Sequence, residues 1–434
     1  MKTIIKNGMI LTMERNAQGE IEKPFIADIV VEGQYILEIG YDLSAKYMVG
    51  AEKVEVVDAK GMLIMPGLVN THNHIAMSLL RGYGDDLPLH TWLTERVFPV
   101  EDKMVPKDVY WGSLLSICEM IRSGTTCFSD MYFFMDAVAQ AVSETGIRAN
   151  LARGIVHSEK KLKEACDFYQ QWQGKADGRI TCCLSPHSPY LCPPEFLQVI
   201  AEEASRLGTF MNIHLAEGVG EQEDYLKQYG KREIEVLSDI GFFQVPVLGA
   251  HMVHVTDREI DLLAQHQVAV AHNPCSNLKL GNGIAPIIKM REKGILVSIG
   301  TDGPCSNNSL DMLKELRFAA LLGKGLSGDP TQLPAGDVLE MATLNGAKAL
   351  QLGHEVGSLT PGKKADMIFI DLNQSHLMPG HDSISDLAYA ANQRDVRSVM
   401  VDGRFLMKNN ELVAIDEEKI IYEAQKAALA LTQK

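Results

Sequence analysis

The sequence predicts an α/β protein, a (β/α)8 TIM barrel carrying a small composite β-sandwich domain built from both chain ends. Three observations lead there. Eight short apolar runs occupy the middle of the chain, amphipathic helical stretches alternate with them, and both ends are rich in short strands broken by turn residues.

In chain order, residues 1–58 form the first part of the sandwich. ADIVVEGQYILEIG alternates apolar and polar residues on each side of Glu32-Gly33, which reads as a hairpin. Residues 59–354 hold the barrel. Its runs end near His72 (LIMPGLVNTH), Asp130 (TTCFSD), Arg153 (ANLAR), His187 (ITCCLSPH), His214 (FMNIH), His251 (VPVLGAH), His272 (VAVAH) and Asp302 (ILVSIGTD). Helices are expected at 106–123, 134–146, 194–207 and 309–323, where apolar residues recur at three- and four-residue spacing. Residues 355–434 complete the sandwich with GSLTPGKKADMIFIDL and a hairpin from Val396 to Met407 folded at Asp402-Gly403, followed by a helical tail. A doubly wound open sheet would carry a Gly-rich phosphate turn after its first strand, and the sequence has none there.

The chain of 434 residues is 46% hydrophobic and 22% charged, which supports a large core and excludes disorder as the main state. A net charge of −15 without clustered Lys and Arg argues against a nucleic-acid partner. No stretch approaches about 18 uninterrupted apolar residues. The start, MKTIIKNGMILTM, interrupts its apolar residues at Lys6-Asn7-Gly8 before a signal-peptide core develops, so a cytoplasmic protein with no membrane partner is expected. The eight cysteines lack CxxC spacing and read as reduced core residues.

Nearly every apolar run ends in a residue able to bind metal, move protons or carry charge. In a barrel these ends converge on one face, where such folds keep their chemistry. His72 and His74 stand two apart at the first strand end, so both side chains reach one side and can share an ion. His214 ends the fifth run and Asp302 the eighth, adding a third imidazole and a hard oxygen, a set suited to one divalent ion, Zn²⁺ or alternatively Fe²⁺. Glu217, three residues after His214, is placed for a proton shuttle, and His251 is a second candidate for handling the proton of a water. Two-metal barrels commonly take a bridging modified lysine from the fourth strand; here that strand ends in Ser185-Pro186-His187, which favours one metal.

The motifs PGLVNTHNH (66–74), HLAE (214–217), GAHMVH (249–254), GTDG (300–303) and GSLTPGKKADMIFID (357–371) resemble the amidohydrolase superfamily, in its branch of mononuclear aminohydrolases. The stretch MSLLRGYGDDLPLHTWLTERVFPVE (77–101) is similar to the loop after the first strand in deaminases of 5′-methylthioadenosine and S-adenosylhomocysteine. That resemblance implies an adenosine-type substrate, with Glu101 on the ribose hydroxyls, Trp92 flanking the ligand, His187 on the purine ring and Arg153 facing the 5′ substituent. It also implies a homo-oligomer. Read without the family, Trp92 could pack a loop and Arg153 balance local acids such as Asp130; His90, His254 and His272 read as structural. The implied reaction is hydrolytic deamination at purine C6, with Asp302 and His251 taking a proton from water and Glu217 protonating ring N1. Its alternatives are deamination of a free base such as guanine, a pyrimidine or an amino-triazine on the same site, or a non-catalytic barrel scaffold.

Overall fold

The computed structural model describes residues 2–48, 54–87 and 91–433. They form two units. The first comprises Met1–Asn70, Cys118–Cys127 and Asp311–Asp416, and the second Thr71–Ile117, Phe128–Leu310 and Glu417–Lys434.

In the first unit, strands from both chain ends share one nine-stranded sheet. Lys2–Ile10 lies at its centre, antiparallel to Phe25–Glu32 and parallel to Val54–Asp58 and Met62–Pro66. The ends are joined where Met367–Asp371 runs antiparallel to Met62–Pro66 in the register Met367↔Pro66. Alternation along these strands sends Ile5, Ile29, Ile64, Met367, Phe369 and Met400 into one core. Both expected hairpins form. Phe25–Glu32 turns into Tyr35–Gly40 through Gly33 (φ 62°), and Val396–Val401 into Arg404–Lys408 through Asp402 (φ 49°) and Gly403 (φ 70°). A Cβ on Gly403 would stand 2.2 Å from Gly33 O, so only glycine fits there.

The second unit holds the barrel. From Thr71 the chain extends the run Leu68–Asn70; the further strands are Thr125–Tyr132, Arg148–Ile155, Ile180–Cys182 with Ser185–Pro186, Met211–Leu215, Val247–His251, Ala269–His272 and Val297–Ile299. Consecutive strands pair in parallel, as in Ala149↔Ile180, Met211↔Val247, Leu248↔Ala269 and Val270↔Val297, and a bridge between Leu184 and Met211 joins the two half-sheets. The ring closes where Thr71 N–H donates to Ile299 O (3.1 Å) and Asp302 N–H to His72 O (3.0 Å). Seven of the eight expected runs are strands of this ring; the first, LIMPGLVNTH, is split, Met62–Pro66 pairing in the nine-stranded sheet and only Leu68–Asn70 joining the ring, whose C-terminal strand ends share one face.

The helices fall at Pro106–Arg122, Met135–Thr145, Pro194–Leu207 and Met312–Ser327. The last starts and ends later than its periodicity indicates. Asp311 caps it by accepting from Leu313 N–H and Lys314 N–H, and Gly328, at φ 66°, stops it. The expected tail is Glu417–Thr432. All eight cysteines are buried free thiols. Among the described residues no helix is long and apolar enough to cross a membrane.

Candidate active site

His72 and His74 follow the first strand, and both face Asp302 beyond the eighth. His72 Nε2 lies 3.5 Å and His74 Nε2 3.3 Å from Asp302 Oδ1, while His74 Nε2 is 3.2 Å from His214 Nε2. Neither ring nitrogen of His72 has a hydrogen-bond partner, although the residue is fully buried. His74 Nδ1 sits 2.6 Å from Met131 O and His214 Nδ1 2.6 Å from His187 O, so both rings donate from Nδ1 and turn Nε2 inward.

Two inward lone pairs and a carboxylate at these separations require a positive charge among them. Ligands about 2.0–2.2 Å from a four-coordinate ion stand about 3.3–3.6 Å from one another, close to the spacings observed. In the bare polypeptide a proton supplies that charge: despite the lowering effect of burial, Asp302 pushes His74 up to about 9. Burial outweighs Asp302 at His72 and holds it down at about 4. His214 is kept well below its ordinary range by burial and the surrounding imidazoles. The donor set fits a divalent metal. Among the described residues the two metal-competent groups, His72/His74/His214 and His72/His251/Asp302, share His72 and therefore outline a single centre.

Beside this centre, Glu217 is buried. Its Oε1 accepts from Asn282 Nδ2 (3.0 Å) and its Oε2 stands 3.6 Å from His251 Nε2. Burial raises its pKa above the ordinary carboxylate range, which suits a group that must carry a proton. His251 Nδ1 lies 2.8 Å from Asn277 Oδ1, which fixes the proton there and leaves Nε2 as a base facing Glu217. Ala216 (φ 49°), His251 (φ 75°) and Asp302 (φ 61°) all adopt left-handed conformations that favour glycine, so backbone strain gathers at this site.

A cavity of about 560 Å³ opens above the centre, within the range that holds a drug-sized ligand. Of the ten residues singled out in the sequence, nine line it: His74, Trp92, Glu101, Arg153, His187, His214, Glu217, His251 and Asp302; His72 lies fully buried behind them. Trp92 belongs to a π-helical turn, Trp92–Val97, that leads into Phe98–Glu101. Glu101 accepts a short hydrogen bond from Tyr132 Oη, and burial raises its pKa. His187 Nδ1 is 3.0 Å from Ser188 Oγ, and burial lowers its pKa to about 3, so the ring is neutral. Arg153 is not the partner of Asp130. Its Nε and Nη2 donate to Glu164 Oε2 at 3.1 and 2.5 Å, whereas Asp130 Oδ1 accepts from Ile75 N–H (2.8 Å) and burial pushes its pKa up to about 7. His254 is half-buried and His272 buried; His90 lies outside the described residues.

Several contributors escaped sequence reasoning. Ser276 and Ser306 both donate to Asp302 Oδ2 at 2.6 Å, leaving Oδ1 to the histidines. A signal existed, because the tetrapeptide PCSN occurs twice, at 274–277 and 304–307, each time shortly after a barrel strand. Asn277 closes the first of these repeats, whereas Tyr132 and Asn282 carry no comparable mark. Gly300 is a further requirement: a Cβ there would stand 2.8 Å from His72 N and 2.5 Å from Asn273 Oδ1. Gly300→Ala is expected to lower stability by about 1–3 kcal/mol through forced backbone shifts, and to weaken metal retention. Calorimetry with metal analysis checks both.

Comparison with known proteins places this geometry in a family. The chain is 47% identical to a 5-methylthioadenosine/S-adenosylhomocysteine deaminase of Carboxydothermus hydrogenoformans over 433 residues, covering 99% of this chain and 98% of the relative. It is 48% identical to a 5′-deoxyadenosine deaminase of Methanosarcina acetivorans, with the same coverage of each. Among solved structures, an adenosine deaminase from Xanthomonas campestris with bound zinc matches at a TM-score of 0.93 and 32% identity, covering 100% of this chain and 99% of that one. The amidohydrolase family model matches residues 63–406, a span that contains every residue of the site described above, and the chain therefore belongs to the amidohydrolase family.

Proposed function

We propose that this chain hydrolytically deaminates 5′-substituted adenosines to the inosine analogue and ammonia, with one Zn²⁺ held by His72, His74, His214 and Asp302. The observation that carries the reading is the pairing of that centre with a buried, protonatable Glu217 in a cavity whose wall also bears a half-buried carboxylate, Glu101. It is further supported by the names of the relatives, which act on 5′-modified adenosines, and by the zinc bound in the similar adenosine deaminase.

A divalent ion at this centre supplies Lewis acidity, which makes a water acidic enough to attack an sp² carbon near neutral pH. Asp302, with His251 Nε2, receives one proton of the attacking water as its oxygen bonds to C6. Glu217, protonated through its raised pKa, gives its proton to N1, so that no anion builds up on the ring. The exocyclic nitrogen then takes the proton held by Asp302 and His251 and leaves as ammonia, while the C6 hydroxyl returns a proton to Glu217 and becomes the carbonyl of the inosine analogue. His187, neutral, can hydrogen-bond the purine, Trp92 offers a flat apolar wall, and Glu101 can accept from two vicinal ribose hydroxyls. Arg153 stands at the wall expected to meet the 5′ group, with Glu164 holding one edge of its guanidinium.

A panel of methylthioadenosine, S-adenosylhomocysteine, 5′-deoxyadenosine, adenosine and free bases, followed by loss of the adenine chromophore, tests the reading. Turnover of free bases with none of nucleosides would overturn it. Glu101→Ala should lower kcat/KM for nucleosides by about tenfold to a hundredfold, the worth of hydrogen bonds to a charged group, and leave any slow turnover of free adenine unchanged.

A further inference from the structure

Glu233 opens the helix Glu233–Asp239, lies outside the cavity and is completely buried. Burying a carboxylate is costly, and packing alone would be served better by an apolar side chain. What the carboxylate does here is specific. Its Oε2 accepts from the N–H of Ala216 at 2.7 Å and from Gln222 Nε2 at 3.0 Å. Gln222 holds the acid in return, since its Oε1 accepts from Glu233 N–H at 3.4 Å.

Ala216 is the residue between the strand Met211–Leu215 and Glu217, and it sits at φ 49°. An L-residue with a Cβ enters this region only at an energetic cost, so something must hold it there. The carbonyls of the turn bond to the next strand end, Leu215 O accepting from Met252 N–H (3.0 Å) and Ala216 O from His254 N–H (2.9 Å). The Ala216 N–H points the other way, to Glu233. This left-handed step directs Glu217 into the cavity.

We propose that Glu233 is a positioning residue for Glu217: by accepting the Ala216 N–H it locks the strained turn that aims the proton-donating carboxyl at the substrate. The proposal rests on the reading of Glu217 given above. It makes Glu233 matter for the rate of the chemical step and little for metal or nucleoside binding, although it touches neither.

The test compares Glu233→Leu, Glu233→Gln and the double variant Ala216→Gly/Glu233→Leu, with zinc content and steady-state deamination of methylthioadenosine as readouts. Glu233→Leu should lower kcat about tenfold to a hundredfold, the effect of a misaimed group, with KM within about twofold and full metal content. Glu233→Gln should recover most of the loss, because its amide oxygen still accepts the Ala216 N–H. Ala216→Gly should recover part of it in the Leu background, since glycine takes the left-handed conformation unaided. A Glu233→Leu enzyme with unchanged kcat, or one that Ala216→Gly does not improve, would overturn the proposal. If Glu233→Leu does not fold, Gln222→Met removes the grip on Glu233 and must lower kcat in the same sense; unchanged kcat there also overturns it. Glu217→Gln run alongside separates the two ideas: if it still turns over, the role of Glu217 is wrong whatever Glu233 does, and if it is dead while Glu233→Leu is fast, only Glu233 is misassigned.

Discussion

Glu217→Gln is expected to reduce kcat by about 10²–10⁴-fold, the range over which a positioned acid or base contributes, with metal content and KM close to those of the unmodified enzyme. Gln keeps the shape and can still receive the hydrogen bond from Asn282, but it has no proton to give N1. The pH profile sharpens the prediction. Burial raises the pKa of Glu217, so the protonated, competent form persists above the ordinary carboxylate range and is lost as pH rises through the raised value. The basic limb of the kcat profile that belongs to this group should therefore disappear from the residual activity of the Gln variant. Near wild-type turnover in Glu217→Gln, measured by ammonia release, would remove Glu217 from the mechanism.

Removing the metal should have the second large effect. Dialysis against a chelator is expected to abolish deamination, and added Zn²⁺ to restore it. Stability should change too, because an ion that binds only the folded centre contributes about 4 kcal/mol when present at a thousandfold excess over its Kd. A fall in Tm on chelation, reversed by Zn²⁺, is the calorimetric signature. The sign of the pH effect follows from His74. In the bare chain its pKa is raised to about 9, so below that pH the metal must displace a proton, and affinity weakens as the medium becomes more acid. Zn²⁺ added to the apoprotein near pH 7 should release protons into a weakly buffered dye solution. Uptake without proton release would mean that His74 does not hold the apo charge.

Much of the architecture is legible in the chain alone. Apolar runs of strand length separated by helical periodicity leave few topologies open, and a closed ring of parallel strands forces all C-terminal ends to one face. Residues as far apart as His72 and Asp302 are therefore brought within 3.5 Å of each other by topology, and the sequence could name them together. The boundaries were less legible where a side chain overrides periodicity, as Asp311 does at the helix Met312–Ser327.

Which group serves which was decided elsewhere. Arg153 was free to choose among several acids on sequence grounds, and only the fold brought Glu164, eleven residues on and one helix turn into Glu159–Trp172, against it. Ser276 reaches Asp302 across 26 residues, Tyr132 reaches Glu101 across 31 and Asn282 reaches Glu217 across 65. Such pairs leave no periodic trace. By itself the sequence determined the strand order, the converging ends and hence the residues available to a metal and a proton relay, because these follow from repeating apolar patterns and the handed closure of the barrel. The tertiary structure alone decided their orientation, tautomers and charge, because hydrogen bonds and burial depend on distances of tenths of an ångström between side chains that meet only after the ring has closed.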